Sequence, residues 1–162
     1  MTRVLVSVVV VLWASVTISD GCSCISEVPL HMYCQKDMII KGTALSEFKE
    51  GPTTTDLEDS FMLDQLSSWI YTIQVDQVFW AKQEFANLTT ITVKTAVVSN
   101  LCGISFALDI PYVFFVYADN GIFRTGLCDQ NTPWSRLDAE DKDYISTVIP
   151  DHCTATAADT QP

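Results

Sequence analysis

The chain has 162 residues, and its 20 acidic residues against 9 basic ones give a formal net charge of −11 at pH 7. Such an acidic chain is poorly suited to bind nucleic acid, heparin-like polymers or an anionic membrane surface. After the first 21 residues, no apolar run reaches the length of about 18 that a bilayer-spanning helix needs, which argues against membrane insertion. The remaining length suits one domain with a proper core.

Residues 1–21 have the pattern of a secretion signal. A single arginine precedes an almost unbroken apolar run over 4–13, and small residues stand at −3 and −1 of a cut before Cys22. The apolar run is too short to cross a bilayer of about 30 Å. We therefore expect a secreted, extracellular protein that begins at Cys22. The alternatives are an uncleaved anchor and a cut after Ala14 or Ser15, which would leave extra residues before Cys22.

In chain order, the pattern first predicts one or two helical turns around 29–34, a strand over 38–45 and a long acidic loop over 46–67. It then predicts strands over 69–80, 88–98 and 111–117, a hairpin turn at 119–121 and a fifth strand over 122–127. Alternation of apolar and polar residues indicates most of these strands, whereas 111–117 is nearly all apolar and predicts a central strand buried on both faces.

A helix is predicted after the fifth strand. Ser135 with Asp138 resembles a capping box, and Pro150 is expected to end the helix. Its apolar face is expected to carry Leu137, Tyr144, Ile145 and Val148. Residues 154–162 contain no core residues and are expected to be disordered. Five short strands and flanking helices fit a mainly-β, five-stranded closed barrel of the OB type.

Six cysteines follow the leader. They are Cys22, Cys24, Cys34, Cys102, Cys128 and Cys153. An even number in a secreted chain indicates three disulfides, although spacing alone does not choose among the possible pairings. A structural zinc site is the alternative, but there is no Cys-x-x-Cys pair and only His31 and His152 could assist.

Few other residues suggest chemistry. Asn87 opens the sequon Asn87-Leu88-Thr89, on an expected loop edge, and is a candidate for glycosylation. Two isolated histidines define no catalytic triad, and no glycine-rich loop for phosphate is present in the sequence. The residues therefore predict neither an enzyme nor a cofactor of the protein's own.

The cysteines and the segments around them resemble the N-terminal, netrin-like domain of the tissue inhibitors of metalloproteinases. The resemblance rests on the Cys-x-Cys-x9-Cys opening at Cys22, Cys24 and Cys34, on 37–42, 71–73, Leu101-Cys102-Gly103, 126–128 and 133–137, and on the closing Cys153. These segments cover essentially all of residues 22–153, which we take as one inhibitory domain. One departure is Ile25-Ser26-Glu27, where the family often has proline.

The resemblance implies a disulfide pairing and a function. The pairs would be Cys22–Cys102, Cys24–Cys128 and Cys34–Cys153. The free α-amino nitrogen and the carbonyl oxygen of Cys22 would chelate the catalytic zinc of a metalloproteinase, and Ser23 would enter the primed specificity pocket. The inhibitory ridge would comprise Cys22, Ser23, Cys24, Ile25, Asn100, Leu101 and Cys102.

The partners implied are zinc metalloproteinases of the matrix or a related class, and the zinc would belong to the partner. The inhibitor itself is expected to be a monomer. The alternative is a netrin-like binding module that keeps the fold and binds a receptor or matrix protein without contacting zinc.

Overall fold

The computed structural model describes residues 21–25, 27–52 and 60–159. Its strands are β1 (Met38–Glu50), β2 (Ser68–Ala81), β3 (Thr90–Ala96), β4 (Pro111–Asp119), β5 (Ile122–Arg124) and β6 (Thr132–Pro133). Its α-helices are α1 (Leu30–Tyr33), α2 (Ser60–Gln65), α3 (Ala139–Asp143) and α4 (Ile149–Asp159). The predicted leader lies outside the described residues except for Gly21. None of the described helices is long and apolar enough to cross a membrane.

Five strands form a closed ring. Their order is β1-β2-β3-β5-β4, and β4 also pairs with β1, which closes the ring. The neighbours are antiparallel except β3 and β5, which run parallel. The short β6 pairs with β4 as a sixth strand. The prediction of a mainly-β fold with flanking helices is confirmed, and the predicted closure is present as this ring.

Strand β4 contributes to two hydrophobic clusters. Tyr112, Phe114 and Val116 belong to the larger cluster, together with residues of β1, β2 and β3. Val113 and Phe115 point the other way and pack in a second cluster with α1 and the C-terminal helix. Because successive side chains of a strand face opposite sides, a strand buried on both faces must be apolar throughout. The central-strand prediction for 111–117 is thereby confirmed.

The β4–β5 hairpin also has the predicted turn. Asn120 has φ 52° and Gly121 has φ 84°, so both central residues lie in the left-handed region. Asp119 and Ile122 face each other across the turn. Two positive φ angles are what a type I′ turn requires, and Asn-Gly is the sequence that adopts them most readily.

The predicted loop over 46–67 is wrong at both ends. β1 continues to Glu50, whose partner in β2 is Ser68, and α2 occupies Ser60–Gln65. Residues 53–59 lie outside the described part of the chain. The polar side chains of 46–50 concealed the strand, because this stretch is exposed and its backbone pairs with β2. Strand β5, predicted over 122–127, is also shorter than expected and ends at Arg124.

The C-terminal helix begins differently from the prediction. Ser135 lies in a separate turn of 3₁₀ helix, Trp134–Arg136, so it does not cap the helix. Asp138 is itself the N-cap, and its carboxylate accepts a hydrogen bond from the backbone N–H of Asp141 at 2.8 Å. An aspartate at the N-cap satisfies one of the free N–H groups of the first turn, so no serine is needed.

Pro150 does not end this helix. A π-helical turn, Tyr144–Val148, joins α3 to α4, and the N–H of Ile149 bonds to the carbonyl of Tyr144. Pro150 therefore lies inside a continuous helix, directly after the π turn. The helix continues to Asp159, so the expected disorder after Cys153 is wrong as far as that residue.

The π turn also shifts which residues face the core. Ile145, Ile149 and Cys153 are buried, whereas Val148 is exposed. A π turn holds more residues than an α turn, so the buried position after Ile145 moves from Val148 to Ile149. The prediction for Val148 is therefore wrong, while Leu137 and Tyr144 are partly buried against the second cluster as expected.

A buried hydrogen-bond network attaches the segment after β5 to the central strand. The N–H of Phe115 donates to Asn131 Oδ1 at 3.0 Å. The amide of Asn131 donates to Thr125 Oγ1 at 2.7 Å and to the carbonyl of Gly126 at 3.1 Å. The hydroxyl of Thr125 donates in turn to the carbonyl of Phe115 at 2.9 Å. This network fixes the two ends of the segment that carries Cys128.

Replacing Asn131 by alanine is expected to lower the free energy of unfolding by about 1–3 kcal/mol, because the buried N–H of Phe115 loses its acceptor. Urea denaturation measures the change. Gln83→Ala, at an exposed turn position, serves as the control and should change stability by less than about 0.5 kcal/mol. Equal stability of N131A and the unaltered chain would show that the network is dispensable.

Candidate functional site

Two neighbouring disulfides attach the N-terminal segment to the strand ring. Cys22 is bonded to Cys102 with a Cα–Cα distance of 5.2 Å, and Cys24 is bonded to Cys128 at 5.1 Å. The Sγ atoms of Cys22 and Cys128 lie 3.4 Å apart, so the two bridges are in contact. The first residues of the domain are therefore held at both ends of a three-residue stretch.

The third disulfide lies elsewhere in the fold. Cys34, at the end of α1, is bonded to the buried Cys153 of α4 with a Cα–Cα distance of 5.1 Å. It ties the helix that follows the N-terminal segment to the C-terminal helix. The three pairs are those that the resemblance implies.

This pairing argues against a zinc site formed by the cysteines. The Sγ atoms of Cys22, Cys102 and Cys128 lie within 4.8 Å of one another, at metal-ligand spacing. Each of them is bonded to another sulfur, and none of the six cysteines is free. Since a cysteine binds zinc as a thiolate, the cluster is two touching disulfides and offers no ligand set.

The loop that carries Cys102 is a tight turn. Ser99–Leu101 forms one turn of 3₁₀ helix, and Cys102 follows in the left-handed conformation with φ 59°. The N–H of Cys102 bonds to the carbonyl of Ser99 at 3.0 Å. A Cβ on Gly103 would lie 2.1 Å from the carbonyl oxygen of Ala96, so only glycine fits there. Steric contact with Ala96 therefore explains why glycine follows Cys102.

A second turn, which begins at Gly126, contacts the loop that carries Cys102. The N–H of Leu127 donates to the carbonyl of Cys102 at 2.7 Å, and a Cβ on Gly126 would approach that oxygen to 2.8 Å. The N–H of Gly126 donates to Asp129 Oδ2 at 2.6 Å, and Lys36 forms an ion pair with Asp129. The sequence alone gives no role to Lys36 or Asp129, because residues far apart in sequence carry no pairing signal.

The structure brings the predicted ridge residues together at one exposed edge, which we call the ridge (residues 22–25 and 100–102). Ser23, Cys24 and Asn100 are exposed, as are Ile25 at 64% and Leu101 at 51%. Cys22 and Cys102 are partly buried beneath them. Small, polar and apolar side chains therefore protrude from a base that two disulfides hold in place.

A cleft of about 420 Å³ lies beside the ridge, between its first segment and α1. The Tyr33 hydroxyl donates to Gln130 Oε1 at 2.7 Å in its wall. Burial raises the pKa of Tyr33, and the neighbouring Tyr144 raises it further, so the hydroxyl keeps its proton and remains a donor at neutral pH. The walls of the cleft are thus uncharged except for the paired Lys36 and Asp129.

Asn87 lies apart from the ridge. It is exposed in the turn between β2 and β3. An exposed sequon is accessible to the glycosylation machinery, and the modification itself stays a prediction.

The chain matches a family model described as tissue inhibitor of metalloproteinase over residues 20–160. That range contains all six cysteines and the whole ridge. No curated protein sequence matches the chain. Because the matched range covers most of the 162 residues and includes the disulfide framework and the ridge, this chain belongs to the tissue inhibitor of metalloproteinase family.

Proposed function

We propose that the protein is a secreted inhibitor of zinc metalloproteinases, and that it binds the catalytic zinc of the proteinase through Cys22. The observation that supports this most directly is the ridge. It presents residue 22 at an exposed edge, bonded to Cys102 and in contact with the Cys24–Cys128 bridge. Family membership supports the class of partner.

Cleavage after Gly21 would turn Cys22 into a metal ligand. Its free α-amino nitrogen and its own carbonyl oxygen are adjacent and together form a bidentate ligand. The catalytic zinc of a metalloproteinase keeps one position open for water or substrate, which such a ligand can take. The amine must be neutral to coordinate. A free α-amino group has a pKa of about 7.7–8, so loss of its proton costs little near neutral pH.

The disulfides supply the rigidity that this binding mode needs. The Cys22–Cys102 bridge closes a loop with a sequence separation of 80 residues, and Cys24–Cys128 one of 104. In the chain-entropy model each stabilises the fold by about 4–5 kcal/mol. More importantly for binding, the segment is already ordered, so little conformational entropy is lost when the proteinase binds.

The exposed side chains of the ridge would contact the substrate cleft on either side of the zinc. Ser23 follows the chelating residue and would enter the primed pocket, and its small size would permit broad inhibition. Asn100 and Leu101, attached through Cys102, would fill the unprimed side. Because an N-terminus binds the zinc, no peptide bond is presented for cleavage.

One added alanine before Cys22 is expected to weaken inhibition at least about 100-fold, because the amine becomes part of a peptide bond and cannot coordinate zinc. Inhibition constants on a panel of metalloproteinases measure the effect. The same alanine added after Pro162 is the matched control and should leave them unchanged. Equal potency of the two extended forms, with unfolding temperatures alike, would exclude chelation and favour a binding module that does not contact zinc.

Ser23→Gly is expected to weaken inhibition by about fivefold, since a buried Cβ and hydroxyl contribute on the order of 1 kcal/mol. Ser135→Gly, at an exposed serine outside the ridge, is the control. If the two glycine variants give the same inhibition constants as the unaltered protein, Ser23 does not enter a pocket.

Inhibition is expected to weaken by about tenfold per pH unit below about pH 7, because the protonated amine cannot bind zinc. The proteinase's own zinc ligands also titrate. A small inhibitor that binds the same zinc without an amine, measured on the same enzyme, reports that contribution and is subtracted. A pH profile identical to that of the small inhibitor would contradict coordination by the amine.

A further inference from the structure

The distal half of β1 has an open edge. Met38–Thr43 pairs with β2 on one side and with β4 on the other. The last backbone bond on the β4 side is from the N–H of Asp109 to the carbonyl of Ala44, at 2.9 Å. Beyond it, residues 46–50 pair with β2 alone, and no other strand of the described chain covers their outer side.

This edge exposes apolar as well as charged side chains. Leu45 is 47% exposed and Phe48 is 59% exposed. The register with β2 shifts between Ala44 and Ser46, so Leu45 forms a bulge where β1 leaves the ring. Open strand edges with apolar side chains readily pair with another chain.

Side chains alternate along the edge after the bulge. Ser46, Phe48 and Glu50 face one side of the ribbon, and Glu47 and Lys49 face the other. Cross-strand partners confirm this. Phe48 lies opposite Ile70 of β2, and Ile70 lies opposite Lys94 of β3, so all three side chains point to one face. Lys94 forms an ion pair with Glu50, which places Glu50 on that face too.

We propose that a second copy of the chain pairs with this edge, antiparallel, about a two-fold axis at Phe48. In an antiparallel pair, side chains that lie directly opposite each other point to the same face. A two-fold axis perpendicular to the ribbon leaves each side chain on its own face. The axis must therefore pass through a residue position, because an axis between two residues would set side chains of different faces opposite each other. At Phe48 it places the two phenylalanines opposite each other. It also places Glu47 opposite Lys49 of the other copy, twice, where Lys49 exchanges the exposed ion pair that it forms with Asp64 of α2 for one across the interface.

The neighbouring registers are unfavourable. An axis at Glu47 or Glu50 sets two carboxylates opposite each other, and one at Lys49 sets two ammonium groups opposite each other. Like charges directly across a strand pair destabilise it, while opposite charges and aromatic pairs stabilise it. An axis at Ser46 leaves Glu47 opposite the apolar Leu45. The charge pattern therefore matches a second copy in one register.

Charged side chains on an edge strand usually prevent its pairing with another chain. Here Glu47 and Lys49 do not exclude a second copy, because each lies opposite a residue of opposite charge. A strand pairing of about five residues buries much less than the roughly 1,600 Å² of a standard interface, so the dimer is weak. The net charge of −11 on each copy weakens it further. The proposed dimer forms only at high concentration, and at low concentration the chain is the monomer expected from the sequence.

Sedimentation equilibrium over chain concentrations up to about 1 mM tests the proposal. The unaltered chain should dimerise, and Lys49→Glu should weaken association at least about tenfold, because two glutamates then face two glutamates. Lys142→Glu makes the same change in net charge away from the edge and should have little effect. The double variant E47K/K49E should restore association, since it exchanges both charges.

Crosslinking tests the register separately. Residues directly opposite in an antiparallel pair have Cα atoms about 4.5–5.5 Å apart, which suits a disulfide. In a glutathione buffer, Phe48→Cys should form a covalent dimer, whereas Glu47→Cys, which faces Lys49, should not. Urea denaturation of each variant verifies the fold. A chain that stays monomeric throughout, K49E equal to K142E, no rescue by the double variant, or equal crosslinking of both cysteine variants would each overturn the proposal.

Discussion

Contact between two disulfides is the constraint on which the candidate site depends. Cys22–Cys102 and Cys24–Cys128 lie side by side, with sulfurs of the two bridges 3.4 Å apart. A segment of three residues bonded twice to the strand ring has almost no freedom to move away from it. In the proposed function, this constraint would allow an N-terminus at Cys22, ordinarily the most mobile part of a domain, to serve as a rigid ligand.

The ring supports those bridges through backbone geometry more than through side-chain bulk. Glycine at 103 and at 126 lets two turns approach within hydrogen-bonding distance, and Cys102 occupies the left-handed region between them. Below, Asn131 holds the second turn on the central strand by three hydrogen bonds. The exposed ridge therefore lies on turns that hydrogen bonds attach to each other and to the central strand.

The β1–β2 ribbon shows a different use of the same strands. Inside the ring, β1 pairs on both sides, and most of its residues are apolar and buried. Outside the ring it pairs on one side, and its sequence becomes charged with Phe48 exposed. The ridge lies on the N-terminal segment and a 3₁₀ turn, and the end of the ribbon comes close to it, because Ser68 and Lys94, which contact Glu50, line a cavity together with Leu101 and Cys102.

By itself, the sequence determined the elements whose signals are local. The alternation in β2, the apolar run of β4 and the Asn120-Gly121 turn each follow from the conformational preference of nearby residues, and the cysteine framework identified the family. Only the tertiary structure decided the rest. Residues 46–50 are a strand because β2 offers partners, Pro150 is tolerated because a π turn precedes it, and Lys36 meets Asp129 because the chain folds them together. In the first and third cases long-range pairing overrides local preference, and such pairing leaves no periodic pattern in the sequence.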